Sequence, residues 1–186
     1  MKGIRSFIAL DIINKDAIKK LQQELSEVAA WRDDEVKPVK SENLHFTVIF
    51  LNEVDPGTIE KIKGRLSEVS FQPINITYHG LGGFPKSSLA NVIWVGIDEE
   101  GKNKIMSLAD SVISKMKDIG FRPDKPFAPH MTIFRAKKGK LRVKEILPTY
   151  STKSFGDDII EKVSLKSSSL TLHGPIYSDI FVVHAN

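Results

Sequence analysis

The feature that most restricts how this chain can fold is a six-residue motif that occurs twice, as HFTVIF at 45–50 and as HMTIFR at 130–135. Both copies are rich in apolar and β-branched residues, and this composition is typical of strands. Each copy lies downstream of a segment whose apolar residues recur at helical spacing. A strand repeated in this way indicates an internal duplication of about half the chain length, and therefore two similar units that pack together.

Alternation along each repeated strand separates its polar from its apolar residues. His45 and Thr47 are two positions apart and share one face, and His130 and Thr132 do the same. The residues expected on the opposite, core-facing side are Phe46, Val48, Met131 and Ile133. With five His and seven Thr in the chain, chance yields a His-x-Thr pair roughly 0.2 times. A single pair is typical of an ordinary hydrogen-bonded contact, whereas two matched copies predict one pocket lined by four polar groups.

The rest of the pattern alternates between strands and helices and predicts an α+β fold. Asn14 and the Asp55–Pro56 pair mark helix starts, and Gly120 marks a helix end. The stripe that the first helix should bury consists of Ile18, Leu21, Leu25 and Val28. Strands are predicted at 5–12, 44–51, 73–78, 91–97, 129–135, around 163–165 and at 176–183, a loop at the glycines and proline of 80–85, and a short helix at 143–150.

Size and composition favour one compact unit. The chain has 186 residues, of which 41% are hydrophobic, and this suits a single bilobal domain over 1–186. The absence of cysteine excludes disulfides, a thiolate nucleophile and cysteine-based metal sites. No apolar stretch approaches the roughly 20 residues that span a bilayer, and Asp11 breaks the N-terminal apolar run. We therefore expect a cytoplasmic protein without a membrane segment, and a monomer because no heptad pattern occurs.

The charge is compatible with an anionic partner. The formal net charge is +4 and the pI is about 9.2, which fits nucleic-acid binding and plain solubility equally well. A basic run begins inside the second motif: Arg135, Lys137, Lys138, Lys140, Arg142 and Lys144. Such a run is usually a solvated loop, but its start within the second His-x-Thr motif favours a role at the same site.

Two histidines and two threonines in one pocket match the needs of phosphodiester chemistry. An attacking water must lose a proton and a leaving sugar oxygen must gain one, and two imidazoles with an ordinary pKa near 6.5 can divide these tasks. Thr47 and Thr132 can donate to phosphate oxygens, and Arg135 can hold a phosphate through two parallel hydrogen bonds. Because no His-Glu-x-x-His or His-x-His pattern occurs, no metal or other cofactor is predicted.

These motifs resemble those of a known family. HFTVIFL and PHMTIFR look like the paired His-x-Thr/Ser motifs of the 2H phosphoesterases, and in particular of the LigT-like group of 2′-5′ RNA ligases, also called RNA 2′,3′-cyclic phosphodiesterases. Further resemblances are FIALDI at 7–12, GGFP at 82–85, VIWVGI at 92–97 and LKSSSLTLHGPIY at 165–177. Asn52 stands where the group commonly has glycine, and asparagine tolerates a positive φ better than other residues with a side chain.

The resemblance implies a bilobal fold, with two antiparallel sheets related by a pseudo-two-fold axis, helices on the outer faces and a central cleft. It also implies hydrolysis of an RNA 2′,3′-cyclic phosphate to a 2′-phosphate, with His45 and His130 catalytic and with Thr47, Thr132 and Arg135 binding the substrate. We assign His130 as the general base on water and His45 as the general acid on the 3′-oxygen. The partner would be RNA with such an end, for instance a tRNA half, and the same site could join RNA reversibly through a 2′-5′ linkage.

Two other functions remain open at the level of the sequence. The pocket could bind a nucleotide or an RNA end without turnover, or the fold could serve an exonuclease or a small-nucleotide phosphodiesterase. Phe84 and Trp94 are candidates for stacking on a base, although we favour the core for Trp94. Arg5 and Lys166 are candidates for facing the pocket or the RNA. The histidines interpreted as surface or loop residues are His79, His173 and His184.

Overall fold

The structure is a computed structural model that describes residues 3–86, 88–172 and 174–186. Its strands are β1 (Ile4–Asp11), β2 (Val36–Pro38), β3 (His45–Val54), β4 (Ile74–Pro85), β5 (Leu89–Ile97), β6 (Met131–Ala136), β7 (Leu141–Arg142), β8 (Ser154–Ile160), β9 (Lys162–Thr171) and β10 (Gly174–His184). Its helices are α1 (Lys15–Ala29), α2 (Pro56–Leu66), α3 (Glu99–Lys117) and α4 (Leu147–Tyr150), with a 3₁₀ turn at Ser41–Asn43.

The strands form two antiparallel sheets, and each sheet contains one copy of the repeated motif. The smaller sheet has the order β10-β9-β1-β3, and the larger has the order β2-β6-β5-β4-β8, with β7 added beside β5. The motif strands β3 and β6 contact one another, while α1 packs on β6 and β8, and α3 packs on β4. This arrangement confirms the predicted α+β fold of duplicated antiparallel sheets with helices packed against them.

The helix boundaries follow the capping residues in the sequence. The side chain of Asn14 accepts a hydrogen bond from the Ala17 amide at the start of α1. Asp55 accepts one from the Thr58 amide at the start of α2, where Pro56 takes the first helical position. Beyond the end of α3, Gly120 has a φ of 92°, a conformation that favours glycine. All three predicted boundary residues are confirmed.

The buried stripe of α1 is shorter than predicted. Ile18, Leu21 and Leu25 are buried, but Val28 is 58% exposed, so its assignment to the core was wrong. In its place Gln22 is buried, and its amide nitrogen donates to two backbone carbonyls, those of Val39 and Ile133. Val28 lies in the last turn of α1, where no strand covers the side chain.

The glycine segment at 80–85 was wrongly predicted as a loop, because β4 continues through it to Pro85. The glycines serve close packing in the strand. A Cβ atom on Gly82 would lie 2.0 Å from Cζ2 of Trp94, so only glycine lets the indole lie across β4. Gly80 has a φ of 71° where the pairing register of β4 shifts, as in a β-bulge. The strands that the sequence pattern missed are the short β2 and β7 and the edge strand β8.

The buried carboxylate of Asp158 links the larger sheet to the smaller one through hydrogen bonds. Asp158, on β8, is only 8% exposed. Its oxygens accept hydrogen bonds from the backbone amides of Ile13 and Asn14 at 3.0–3.2 Å, in the connection between β1 and α1. They also accept the hydroxyl of Tyr78 on β4, whose pKa is raised far above its ordinary value by burial and by this carboxylate. The hydroxyl therefore stays protonated and remains a donor.

Replacing Asp158 by asparagine should lower the free energy of unfolding by about 2 kcal/mol, because an amide cannot accept all of these hydrogen bonds at one buried site. Asp157→Asn is the matched control, since Asp157 is exposed and accepts from the Thr77 hydroxyl at 2.7 Å. Urea denaturation of both variants measures the effect. Equal losses of stability would contradict the linking role of Asp158.

Candidate active site

Equivalent bulges in β3 and β6 place the ends of both motifs in the cleft. In the β1–β3 ladder, Thr47 pairs with Ala9 and Ile49 with Ile8, so Val48 is an extra residue. In the β5–β6 ladder, Thr132 pairs with Trp94 and Phe134 with Ile93, so Ile133 is extra at the same point of the motif. Each extra residue shifts the alternation by one.

The shift has the same consequence in both strands. The fifth residue after each histidine turns onto the face that carries the histidine and the threonine. That residue is Phe50 in β3 and Arg135 in β6, and both are exposed. Without the bulges, strict alternation would direct both side chains to the opposite face. Asn52, two residues after Phe50, has a φ of 59°, which confirms the positive φ expected where the related group has glycine.

All five predicted site residues line one cleft of about 140 Å³ between the two sheets. They are His45, Thr47, His130, Thr132 and Arg135. His130 immediately precedes β6, which begins at Met131, two residues after the predicted start at 129. The tertiary structure thus brings together two motifs that lie 85 residues apart (130 − 45) in the sequence.

His45 is enclosed by aromatic side chains. Its ring centroid lies 5.0 Å from that of Phe7 and 5.4 Å from that of Tyr177, and its Nε2 lies 3.1 Å from the hydroxyl oxygen of Thr47. Burial lowers the pKa of His45 to about 4, and the positive charge of Lys166 adds to this effect. His45 is therefore a neutral imidazole at neutral pH when the cleft holds no anion.

His130 is more open and has a defined tautomer. Its Nδ1 lies 2.8 Å from the backbone carbonyl of Ala128, so Nδ1 donates the hydrogen bond. In a neutral imidazole this leaves Nε2 as the acceptor. The ring meets Phe84 edge-on at 5.1 Å and lies 6.1 Å from Trp94. We expected Trp94 in the core, but it is only half-buried and lies beside His130. Phe84 is 43% exposed.

The cleft is lined by cations and by no carboxylate among the described residues. Lys37 and Lys40 join Arg135 along its wall. Lys37 pairs with Arg135 across the β2–β6 ladder. Neither lysine was predicted, because β2 is too short to show a pattern and Lys40 lies in the connection between β2 and the first motif. Such a lining favours a phosphate over a neutral ligand.

Lys166 takes part in an ion-pair network beside His45. Its Nζ lies 2.9 Å from Asp11 and 2.5 Å from Asp179, and its side chain is only 12% exposed. Asp11 pairs with His45 in the β1–β3 ladder and also accepts the hydroxyl of Ser164. Lys166, which the sequence suggested as a contact with RNA, has its ammonium held by two carboxylates and is not among the residues that line the cleft.

The basic run after Arg135 turns partly away from the cleft. Lys137 donates to the Asp33 carbonyl at 2.5 Å, and Lys138 lies 3.8 Å from the carboxylate of Asp34. Of the remaining histidines, His79 lies in β4 and His184 ends β10, and neither lines the cleft. His173 lies outside the described residues.

The described part of the chain offers neither a metal cluster nor a membrane segment. Nowhere in it do three or more His, Asp or Glu side chains converge so that they could hold a metal ion. Within the same residues, no helix has the length and apolar character that crossing a membrane requires.

Comparison with known proteins identifies the family. The sequence profile of the AKAP7 2′5′ RNA ligase-like domain matches residues 6–177. An RNA 2′,3′-cyclic phosphodiesterase of Archaeoglobus fulgidus is 41% identical over 181 residues, which are 96% of this chain and 99% of the relative. Another from Methanocaldococcus jannaschii is 35% identical over 182 residues, 95% and 98% of the two chains. The chain therefore belongs to the family of 2′5′ RNA ligase-like domains, which confirms its resemblance to the LigT-like 2H phosphoesterases.

Solved structures agree on the fold. The crystal structure of Escherichia coli LigT in its apo form superposes with a TM-score of 0.78 at 18% identity and covers 100% of this chain and 99% of its own. A Thermus thermophilus protein superposes with a TM-score of 0.76 at 25% identity, with 97% of both chains covered. The two-sheet architecture is thus shared across the full length.

Replacing His45 by glutamine should make the protein less sensitive to acid. In the unfolded chain the imidazole takes up a proton near pH 6.5, but in the folded chain only near pH 4. The stability that this group contributes is complete above pH 6.5 and is lost as the pH falls toward 4. Between pH 6.5 and pH 4, we expect the free energy of unfolding of the wild type to fall by about 2–3 kcal/mol more than that of the variant.

Urea titrations in phosphate-free buffers from pH 7 to pH 4 measure this difference. His184→Gln, at an exposed position, is the matched control. A change of the same size in the control would rule out burial of His45 as the cause.

Proposed function

We propose that this chain hydrolyses the 2′,3′-cyclic phosphate at the end of an RNA to a 2′-phosphate, without a metal ion. The observation that carries the proposal is the convergence of two histidines, two threonines and Arg135 in one cleft that no carboxylate of the described residues lines. The relatives that bear the name RNA 2′,3′-cyclic phosphodiesterase support the same reaction.

The phosphate would be held by the groups that carry donors. The hydroxyls of Thr47 and Thr132 reach it from opposite strands, and the guanidinium of Arg135 can bind two of its oxygens at once. As negative charge shifts onto the non-bridging oxygens during attack, donors fixed in the cleft stabilise it without reorganising. Lys37 and Lys40 add positive charge along the approach.

His130 is the proposed general base. Its Nδ1 is occupied by the bond to the Ala128 carbonyl, so the free lone pair is on Nε2. Nε2 removes a proton from the attacking water, and the water oxygen forms the new bond to phosphorus. The carbonyl of Ala128 then stabilises the imidazolium, as an orienting acceptor does for other catalytic histidines.

His45 is the proposed general acid. The bond from phosphorus to the 3′-oxygen breaks, and His45 gives that oxygen its proton, which leaves the phosphate on the 2′-oxygen. The free protein holds His45 neutral, since burial lowers its pKa to about 4. A bound phosphodiester anion raises this pKa, because an opposite charge nearby favours the imidazolium. Binding of the phosphodiester anion therefore lets His45 take up a proton from solvent, and this imidazolium is the acid.

The proposal extends to the domain organisation, the oligomeric state, the location and the range of substrates. We take the chain over 1–186 as one bilobal domain that acts as a monomer in the cytoplasm. The substrates would include tRNA halves. With a 5′-hydroxyl in place of water, the same attack would break the bond from phosphorus to the 3′-oxygen and join RNA reversibly through a 2′-5′ linkage, using the same acid and base. A single hydrophobic cluster that draws residues from both sheets supports the single domain.

Turnover of a nucleoside 2′,3′-cyclic phosphate in EDTA tests the reaction. We expect a 2′-phosphate as the product, and rates in His45→Ala and His130→Ala that are lower by at least about 100-fold, as for the loss of a general acid or base. His184→Ala is the control. Tight binding without product would instead favour a binding module, and a 3′-phosphate product would refute the assigned leaving group.

The separate roles of the two histidines can be tested with a sulfur leaving group. In a substrate whose 3′-oxygen is replaced by sulfur, the leaving thiolate needs no proton, because a thiol has a pKa near 8.5. The rate of His45→Ala should recover to within about tenfold of wild type on this substrate, while His130→Ala stays slow. Recovery of His130→Ala alone would reverse the two assignments.

A further inference from the structure

A second cavity adjoins the catalytic cleft. It measures about 130 Å³ and shares with the cleft the side chains of Phe7, Phe50, Arg135, Pro175 and Tyr177. Its far side is built from Arg5 on β1, Asn52 on β3, and Ser168 and Leu170 on β9. A ligand bound at the histidines could therefore extend into this cavity without leaving the protein surface.

The charge of this cavity suits a second phosphate. No carboxylate lines it among the described residues, and two guanidinium groups do, those of Arg5 and Arg135. Glu53 lies opposite Arg5 in the β1–β3 ladder, yet the two form no ion pair within 4 Å. In the described part of the chain no hydrogen bond or ion pair occupies the Arg5 guanidinium. An exposed arginine left without a carboxylate is available to bind an anion.

An exposed aromatic ring lies between the two cavities. Phe50 is 64% exposed and lines both of them. It takes the position in the first motif that Arg135 takes in the second, because equivalent bulges turn both residues into the cleft. Leu170, 72% exposed, extends the apolar surface on the other side of Arg5. A flat apolar ring beside a free guanidinium is the combination that binds a base and its phosphate.

We propose that this second cavity binds the nucleotide that precedes the cyclic-phosphate end, with Arg5 on the phosphate that joins it to the terminal nucleotide and Phe50 stacked on its base. The inference rests on the proposed function, since a cyclic-phosphate end continues into the RNA only through its 5′-oxygen. The preceding nucleotide is therefore the part of this substrate that extends beyond the cleft, and we assign it to the adjoining cavity. Phe84, beside His130, provides a separate aromatic surface for the terminal nucleoside.

The kinetic test compares two substrates, adenosine 2′,3′-cyclic phosphate and the dinucleotide that ends in the same group. We expect kcat/KM of the wild type to be about 100-fold higher on the dinucleotide, about tenfold from the added phosphate and about tenfold from the added base. Arg5→Gln should lower this ratio to about tenfold, the part that stacking on Phe50 still supplies, and leave the mononucleotide rate unchanged. Arg122→Gln, at an exposed position outside both cavities, is the matched control. A wild-type ratio near one, or an equal loss on both substrates in Arg5→Gln, would overturn the proposal.

Binding of products separates the contributions of the two residues and needs no turnover. Calorimetry compares the affinities of three ligands: adenosine 2′-phosphate, adenosine 2′,5′-bisphosphate and the dinucleotide 2′-phosphate. The second ligand adds the 5′-phosphate to the first, and the third ligand adds the preceding nucleoside. Arg5→Gln should remove the gain between the first two ligands, and Phe50→Leu the gain between the last two, each about tenfold. Phe84→Leu should weaken all three ligands to a similar extent.

Failure of the proposed reaction and failure of the proposed nucleotide site give different results. If the wild type shows the stepwise gains in affinity but hydrolyses neither substrate, the proposed reaction fails and the second cavity is still a nucleotide site. If hydrolysis proceeds but all three products bind wild type equally, the second cavity is not a nucleotide site and the reaction stands.

Discussion

The buried carboxylate of Asp158 is the interaction on which the relative placement of the sheets depends. It lies on the edge strand of the larger sheet and binds the backbone amides that follow the first strand of the smaller one. A buried anion is stable only while its hydrogen-bond partners stay in place. The Tyr78 donor comes from β4 of the same sheet and the amide donors from the β1–α1 connection, so moving the sheets apart would break the hydrogen bonds of Ile13 and Asn14 to this carboxylate. The cleft lies between the two sheets that this link joins.

The duplicated motif diverged at one functional position while its backbone stayed the same. In both copies one extra residue follows the threonine, and the second residue after that extra residue faces the cleft. In β6 this residue is Arg135, which suits the reacting phosphate, and in β3 it is Phe50, which suits an aromatic base. Equivalent bulges in the two strands therefore present an arginine on one side of the cleft and an aromatic ring on the other, which is the asymmetry that the proposed RNA ligand would use.

The two histidines differ because their surroundings come from different parts of the chain. Phe7 and Tyr177, from β1 and β10, enclose His45 and exclude water, so burial lowers its pKa to about 4. His130 has the Ala128 carbonyl behind it and the edge of Phe84 beside it. Two groups with the same intrinsic chemistry thus lie in different environments, and the acid and base roles that we propose for them rest on this difference.

Much of this protein is determined by its sequence alone. Periodicity located most strands and helices, Asn14, Asp55 and Gly120 marked helix boundaries, and the doubled His-x-Thr motif identified four of the cleft residues, because all of these signals are local in the chain. Only the tertiary structure decided that Phe50 faces the cleft, that Lys37 and Lys40 line it, that Lys166 is held by two carboxylates and that the glycines at 80–83 form a strand. Each of these features depends on the register of a neighbouring strand or on a partner distant in sequence. The alternation of residues within one strand carries no information about either.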